Sequence, residues 1–202
     1  MVRQITDPEI IEALERYSEK YAFVLVPGFK NSGPEHWQSF WERDIDIFQR
    51  ISQRRWDQRD IYLWIDAIGR TVAEEERPAI LIGHSLGALA SACVIADHEA
   101  GVAGAMFVAP AEPIRFEAEG RIPYDHLDAP TVLVASHNDT LISFPRAKFF
   151  AEGWGSDFVD LGEAGHINSE AGFGRWPYGL GILLDLVERI EENAPAAAEL
   201  DA

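Results

Sequence analysis

The chain predicts an α/β fold, a mostly parallel central sheet of about six strands flanked by helices and without a full lid domain. Three observations carry this. Short apolar runs recur along the chain and end at turn residues, as buried strands do. Stretches with apolar residues at helical spacing separate them, and such alternation belongs to parallel sheets covered on both faces. At residues 79–90 one such run passes into a helical pattern through a glycine-flanked turn, Gly83-His84-Ser85-Leu86-Gly87.

In chain order, Asp7-Pro8-Glu9 reads as an N-cap with proline in the first helical position, opening a helix to Ser18. Tyr21–Val26 is a compact apolar strand stopped by Pro27-Gly28. Ser32-Gly33-Pro34-Glu35 is expected to open a helix carrying His36, Trp37, Phe40 and Trp41. Ile51–Arg55 is the weakest strand, with poor alternation. In residues 60–72, Ile61, Trp64, Ile65, Ile68 and Val72 form one apolar helical face. Ala79–Ile82 is the third strand, and the helix after Ser85 runs to His98. Val102–Val108, Thr131–Ala135 and Asp157–Leu161 complete the strands. Helices follow at Phe144–Trp154 and Tyr178–Asn193. No repeat or linker divides the chain, so residues 1–193 read as one domain and 194–202 as a frayed acidic tail.

The 202 residues suffice for a buried core, and 47% apolar with 25% charged residues is an ordinary globular balance. The net charge of -17 argues against nucleic-acid and anionic-membrane partners, which need a basic surface. Residues 1–20 lack the apolar core of a signal peptide, and no run is long enough to cross a membrane. A cytoplasmic location is the expectation. The single cysteine, Cys93, falls on the apolar face of its helix and is expected to be a packing residue.

Gly83-x-Ser85-x-Gly87 between strand and helix is the pattern of a nucleophile elbow. A strand turning directly into a helix crowds the backbone, which explains glycine on either side of the serine. A serine hydroxyl needs a base within hydrogen-bond reach. In this arrangement serine, acid and histidine follow in that order, each in a loop after a strand. His137 and His126 are poorer bases than His166, which stands in the glycine-bracketed loop Gly162-Glu163-Ala164-Gly165-His166. Asp139, in the loop after the fifth strand, is the acid, with Glu163 as the alternative. Ser85, Asp139 and His166 are the candidate triad. The amides of Leu86 and Phe29, or Lys30 in place of Phe29, are the candidate oxyanion donors. Gly28, Trp37 and His84 are candidate substrate-binding residues, and His36 reads as structural. No metal-ligand or phosphate-loop motif occurs, so no cofactor is expected.

Val26-Pro27-Gly28, Asn31-Ser32-Gly33-Pro34 and His36-Trp37-Gln38 resemble the small serine hydrolases related to retinoblastoma-binding protein 9 and the bacterial YdeN-like proteins. The elbow, Ser136-His137-Asn138-Asp139, Gly165-His166-Ile167-Asn168 and Gly172-Phe173-Gly174 with Trp176-Pro177 continue the likeness, which runs from about residue 21 to 190. The resemblance implies an α/β-hydrolase fold and the same three catalytic residues. The family's natural substrates are poorly defined; the leading reading is a small ester, thioester or amide, cleaved through an acyl-enzyme by an enzyme that is carboxylesterase-like or an amidase or aminopeptidase. The family's name also records protein binding, so a non-catalytic interaction module is the rival. A homodimer is compatible with the sequence. The irregular stretch Ala111–Pro130, rich in prolines and scattered acids, can edge a pocket through Phe116 or Tyr124 but not roof a lipid channel.

Overall fold

The computed structural model describes residues 8–98 and 101–193. The expected cap at Asp7 and the tail at 194–202 lie outside the described residues. The sheet has six strands: β1 (Ala22–Val26), β2 (Phe48–Arg50), β3 (Ala79–His84), β4 (Val102–Val108), β5 (Thr131–Ala135) and β6 (Asp157–Asp160). Their order is β2-β1-β3-β4-β5-β6, and every neighbouring pair is parallel. Among the described residues the α-helices are α1 (Pro8–Tyr17), α2 (Trp37–Asp44), α3 (Ile61–Glu74), α4 (Leu86–Ala96), α5 (Phe144–Trp154) and α6 (Pro177–Asn193).

Alternation along each strand sends side chains to opposite faces. Phe23, Leu25, Ile80, Ile82, Met106 and Val108 pack against α1, α2 and α6. Val24, Val26, Leu81, Ala105, Phe107 and Leu133 pack against α3, α4 and α5. Both faces are therefore covered, as the continuous apolar strands require. Helix α4 is buried through Ile95, including Cys93, whose thiol burial pushes up to about 12. Among the described residues no helix is long and apolar enough to cross a membrane.

From β1 the chain steps one way to β2, and then returns across β1 to β3 and on to β6. The order reverses between β1 and β3. In an open parallel sheet, the crevice at the carboxyl ends of the strands at such a reversal is where ligands bind.

Two expected boundaries fail. The second strand is Phe48–Arg50, not Ile51–Arg55. Phe48 packs on Phe23 and Trp41, with ring centroids 5.7 and 5.3 Å away, and it pairs in register with Phe23. Only Ile51 of the expected segment adds to the edge, by donating its amide to Leu25 O at 3.1 Å. The following Gln53, Arg54 and Arg55 offer nothing apolar to bury. Helix α2 also starts later than expected, at Trp37. Ser32 Oγ donates to the buried Gln38 Oε1 at 2.6 Å instead of capping, and residues 33–36 form a turn.

Phe48→Ala should therefore lower the unfolding free energy by about 3–5 kcal/mol in urea titrations, whereas Arg55→Ala should change it by less than about 0.5 kcal/mol. A larger loss at Arg55 would mean that the strand occupies 51–55 after all.

Candidate active site

Ser85 stands between the end of β3 and the start of α4, with φ 56° and ψ −119°. Few L-residues hold such angles, and the surroundings must enforce them. Ser85 N donates to Val108 O at 3.0 Å, which anchors the turn to β4. A Cβ on Gly83 would meet Ala88 Cα at 2.6 Å, and one on Gly87 would collide with Val26 O. A Cβ on Gly28 would come within 2.9 Å of Ser85 Cβ. Three glycines thus let the elbow close and let the loop after β1 lie directly against it.

That loop is tied at several points. Trp64 Nε1 donates to Pro27 O at 2.7 Å, and Gln38 Nε2 donates to Ile82 O at 3.0 Å. Arg50, at the end of β2, donates to Asn31 Oδ1 at 2.8 Å and to Ser32 O at 3.0 Å. The Lys30 amide is occupied by Trp56 O at 2.7 Å. The Phe29 amide has no acceptor among the described residues, so of the two expected donors only Phe29 remains available. Leu86 is the first residue of α4, where an amide has no intrahelical acceptor and the helix dipole is positive.

The loops after β5 and β6 bring Asp139 and His166 together. His166 Nδ1 donates to Asp139 Oδ2 at 2.8 Å, and Asp139 Oδ1 accepts from the Leu141 amide at 2.8 Å. The Asp139 carboxylate is almost wholly enclosed, at 1% exposure. With the proton on Nδ1, His166 Nε2 carries the lone pair. That nitrogen is buried and has no hydrogen-bond partner among the described residues. His166 and Ser85 line the same cavity of about 400 Å³. Gly165 N donates to Asn138 Oδ1 at 2.6 Å, and Ser136 Oγ donates to Gly165 O at 2.7 Å, so the two loops are laced together. The alternatives stand elsewhere. His137 pairs with Asp160 at 2.9 Å on the surface, and Glu163 and His126 are exposed.

Of the expected substrate contacts, Gly28 and His84 line the cavity and Trp37 does not. Trp37 is fully buried, ringed by Trp41 and Trp176, and its indole donates to Ile167 O at 3.0 Å. Its size suits it to the core, and it holds the His166 loop from beneath. His84 Nε2 donates to His166 O at 2.9 Å and supports the same loop. His36, read as structural, is both cap and cavity wall. Its Nδ1 accepts the Gln38 amide at 3.2 Å, which leaves the proton on Nε2. Of the expected rim residues Phe116 lines the cavity, while Tyr124 packs on Phe149 and Phe150 instead. The signal for His36 lay in its place one residue before α2, where a ring nitrogen can cap.

His36, His84 and His166 follow one another in space, the first pair edge-on and the second tilted, with centroids 4.7 and 4.8 Å apart. Burial, then the Arg50 charge, then His166 push His36 down to about 3. Burial, then His36 and His166, hold His84 well below the usual imidazole range. Both native values lie below the unfolded value of about 6.5. Between there and about 3 the unfolded chain therefore binds protons that the native chain refuses. Stability is full above about 6.5 and is lost as pH falls, at up to about 1.4 kcal/mol per pH unit for each histidine. His36→Asn keeps a capping oxygen and should reduce that slope by about 1 kcal/mol per unit in urea titrations from pH 6 to 5. An unchanged slope would mean that His36 accepts its proton in the folded protein.

Among the described residues no cluster of three or more histidine, cysteine or acidic side chains is arranged to hold a metal. No curated protein matches the chain. Among solved structures, a YdeN-like hydrolase of Pectobacterium atrosepticum is 51% identical, covers 90% of this chain and 98% of its own, and superposes with a TM-score of 0.88. The ydeN product of Bacillus subtilis is 19% identical, over 84% of this chain and 99% of its own, with a TM-score of 0.68. Mouse alpha/beta hydrolase domain-containing protein 10 is 15% identical, over 86% and 90%, with a TM-score of 0.60. The last two carry the fold alone, which is the α/β-hydrolase fold. The serine hydrolase family model matches residues 23–185, most of the chain and every loop of the cavity that holds Ser85, so the chain belongs to the serine hydrolase family.

Proposed function

We propose that this hydrolase cleaves a small ester, thioester or amide through an acyl-enzyme formed on Ser85. Ser85 Oγ attacks the carbonyl carbon while its proton passes to His166 Nε2. Asp139 holds the imidazole with its proton on Nδ1 and stabilises the imidazolium. The amides of Leu86 and Phe29 receive the developing oxyanion. His166 then protonates the leaving group, and water repeats the sequence on the acyl carbon. The observation that carries this reading is the pairing of His166 with Asp139 beside Ser85, with Nε2 left without a protein partner. A gap between serine and base is compatible with it, because catalytic hydrogen bonds often tighten only with substrate present. No cofactor enters the scheme. The buried, unpaired Cys93 suits a reducing cytoplasm.

A fluorophosphonate probe should label Ser85 alone, and Ser85→Ala should abolish the adduct. Asp139→Asn should keep the fold and lower turnover by up to about ten-thousandfold, as in serine-protease triads. Folded protein that stays unlabelled would favour a non-catalytic interaction module.

The cavity's large apolar walls are few, chiefly Phe29, Phe116 and Leu141. Between β4 and β5 the only helical element is the 3₁₀ turn Pro113–Phe116, which leaves no roof for a long chain. Each methylene contributes about 0.8 kcal/mol only while apolar wall lasts. Along a p-nitrophenyl ester series kcat/KM should peak at acyl groups of about two to six carbons. A value still climbing from octanoate to palmitate would refute the shallow pocket.

A further inference from the structure

The cavity carries charge of the opposite sign to the protein around it. The chain has 34 acidic residues against 17 lysines and arginines, yet the charged residues lining the cavity are Arg59, Arg115 and Glu170. Neither arginine forms an ion pair among the described residues, although Arg43, Arg50, Arg77 and Arg146 each find a carboxylate. Glu170 shares the cavity lining and forms no ion pair among the described residues, while three other acids have partners of their own. Glu112 pairs with Arg146 at 3.2 Å, Asp139 holds His166, and Asp60 caps α3 through the Tyr62 amide at 3.0 Å.

Both arginines are exposed, and each is tethered at the cavity by one contact. The Arg59 guanidinium lies 5.4 Å over the Phe29 ring, and Arg115 donates to Thr140 O at 3.0 Å. Phe29 packs edge-on against Phe116, the neighbour of Arg115, at 5.9 Å. The two arginines thus reach one cavity from different elements, the segment before α3 and the 3₁₀ turn after β4, with its aromatic wall between them. Each retains most of its five donors, in a planar fork that suits a carboxylate or phosphate. Inside a strongly acidic protein, such a patch draws an anion to the nucleophile and turns a neutral competitor no closer.

We propose that the natural substrate carries a negative group, a carboxylate or similar anion, which Arg59 and Arg115 grip while its carbonyl lies at Ser85. This rests on the hydrolase reading above and adds the substrate's charge. The anion can sit on the acyl or on the leaving side, and two matched pairs of esters separate them. Mono-p-nitrophenyl glutarate against p-nitrophenyl valerate tests the acyl side. The butyrate ester of 4-hydroxybenzoate against that of 4-hydroxybenzamide tests the leaving side.

In at least one pair the anionic ester should have the higher kcat/KM, by about ten- to a hundredfold, as a charge-assisted contact gives. The ratio should shrink as salt is raised. In Arg59→Gln/Arg115→Gln the anionic-to-neutral ratio should collapse towards one, whatever the variant does to either ester alone. Neutral esters cleaved equally well or better in both wild-type pairs would overturn the inference and leave the hydrolase intact. A preference that survives the double variant, or ignores salt, would overturn it as well. No turnover of any ester, together with no fluorophosphonate adduct, would overturn both.

Discussion

The site depends on one close approach, that of the loop after β1 to the turn between β3 and α4. Ser85 keeps its φ of 56° because the turn has no room to relax. Gly83 and Gly87 let α4 begin directly after the strand, and Gly28 lets the neighbouring loop lie on the serine itself. A side chain at Gly83 or Gly87 would drive into backbone atoms, and one at Gly28 into the Ser85 side chain. The strain is held by the sheet, since Ser85 N is bonded to β4 and the residues before it are central strand.

Around that turn, side chains at the site are held largely through backbone carbonyls. Trp37 donates to Ile167, His84 to His166, Gln38 to Ile82 and Trp64 to Pro27. Each bond joins a buried ring or amide in one element to the main chain of another. A loop positioned in this way is fixed in height and direction, not merely packed. This gives the motif His36-Trp37-Gln38 a physical meaning. Three successive residues cap a helix, support the His166 loop and tie the Phe29 loop to β3.

Much of this was legible in the sequence because it follows from order along the chain. Strands ended by turn residues place Ser85, Asp139 and His166 in loops at one edge of a parallel sheet, and the geometry brings all three to that edge. The failures share a cause. The second strand was misplaced because edge strands are short and need only one buried face, so Phe48 against Phe23 outweighs a run such as 51–55. Trp37 lies in the core, and His36 walls the cavity as well as capping α2, because spacing shows which residues share a helix face but not which one meets a cavity. Choosing Phe29 over Lys30 required knowing that Trp56 O takes the Lys30 amide, a contact between segments that no local pattern contains. The arginines at the cavity were invisible for the same reason.

The adjoining histidines show how burial can serve a neighbouring base. His84 lies 4.8 Å from His166, ring to ring. Were both charged, their repulsion at an effective dielectric near 20 would be roughly 3 kcal/mol, enough to oppose the imidazolium that the proposed proton transfer would create. Burial keeps His84 neutral, and His36 behind it is neutral for the same reason. Both donate or present Nε2–H, a fixed dipole in place of a charge. His84 aims that dipole at the His166 carbonyl, so it holds the loop without competing for the proton. The carboxylate that His166 does contact is that of Asp139, at 2.8 Å from Nδ1. A polar cluster that looks costly in the core thus leaves the proposed base held by one carboxylate, with its Nε2 unpartnered among the described residues.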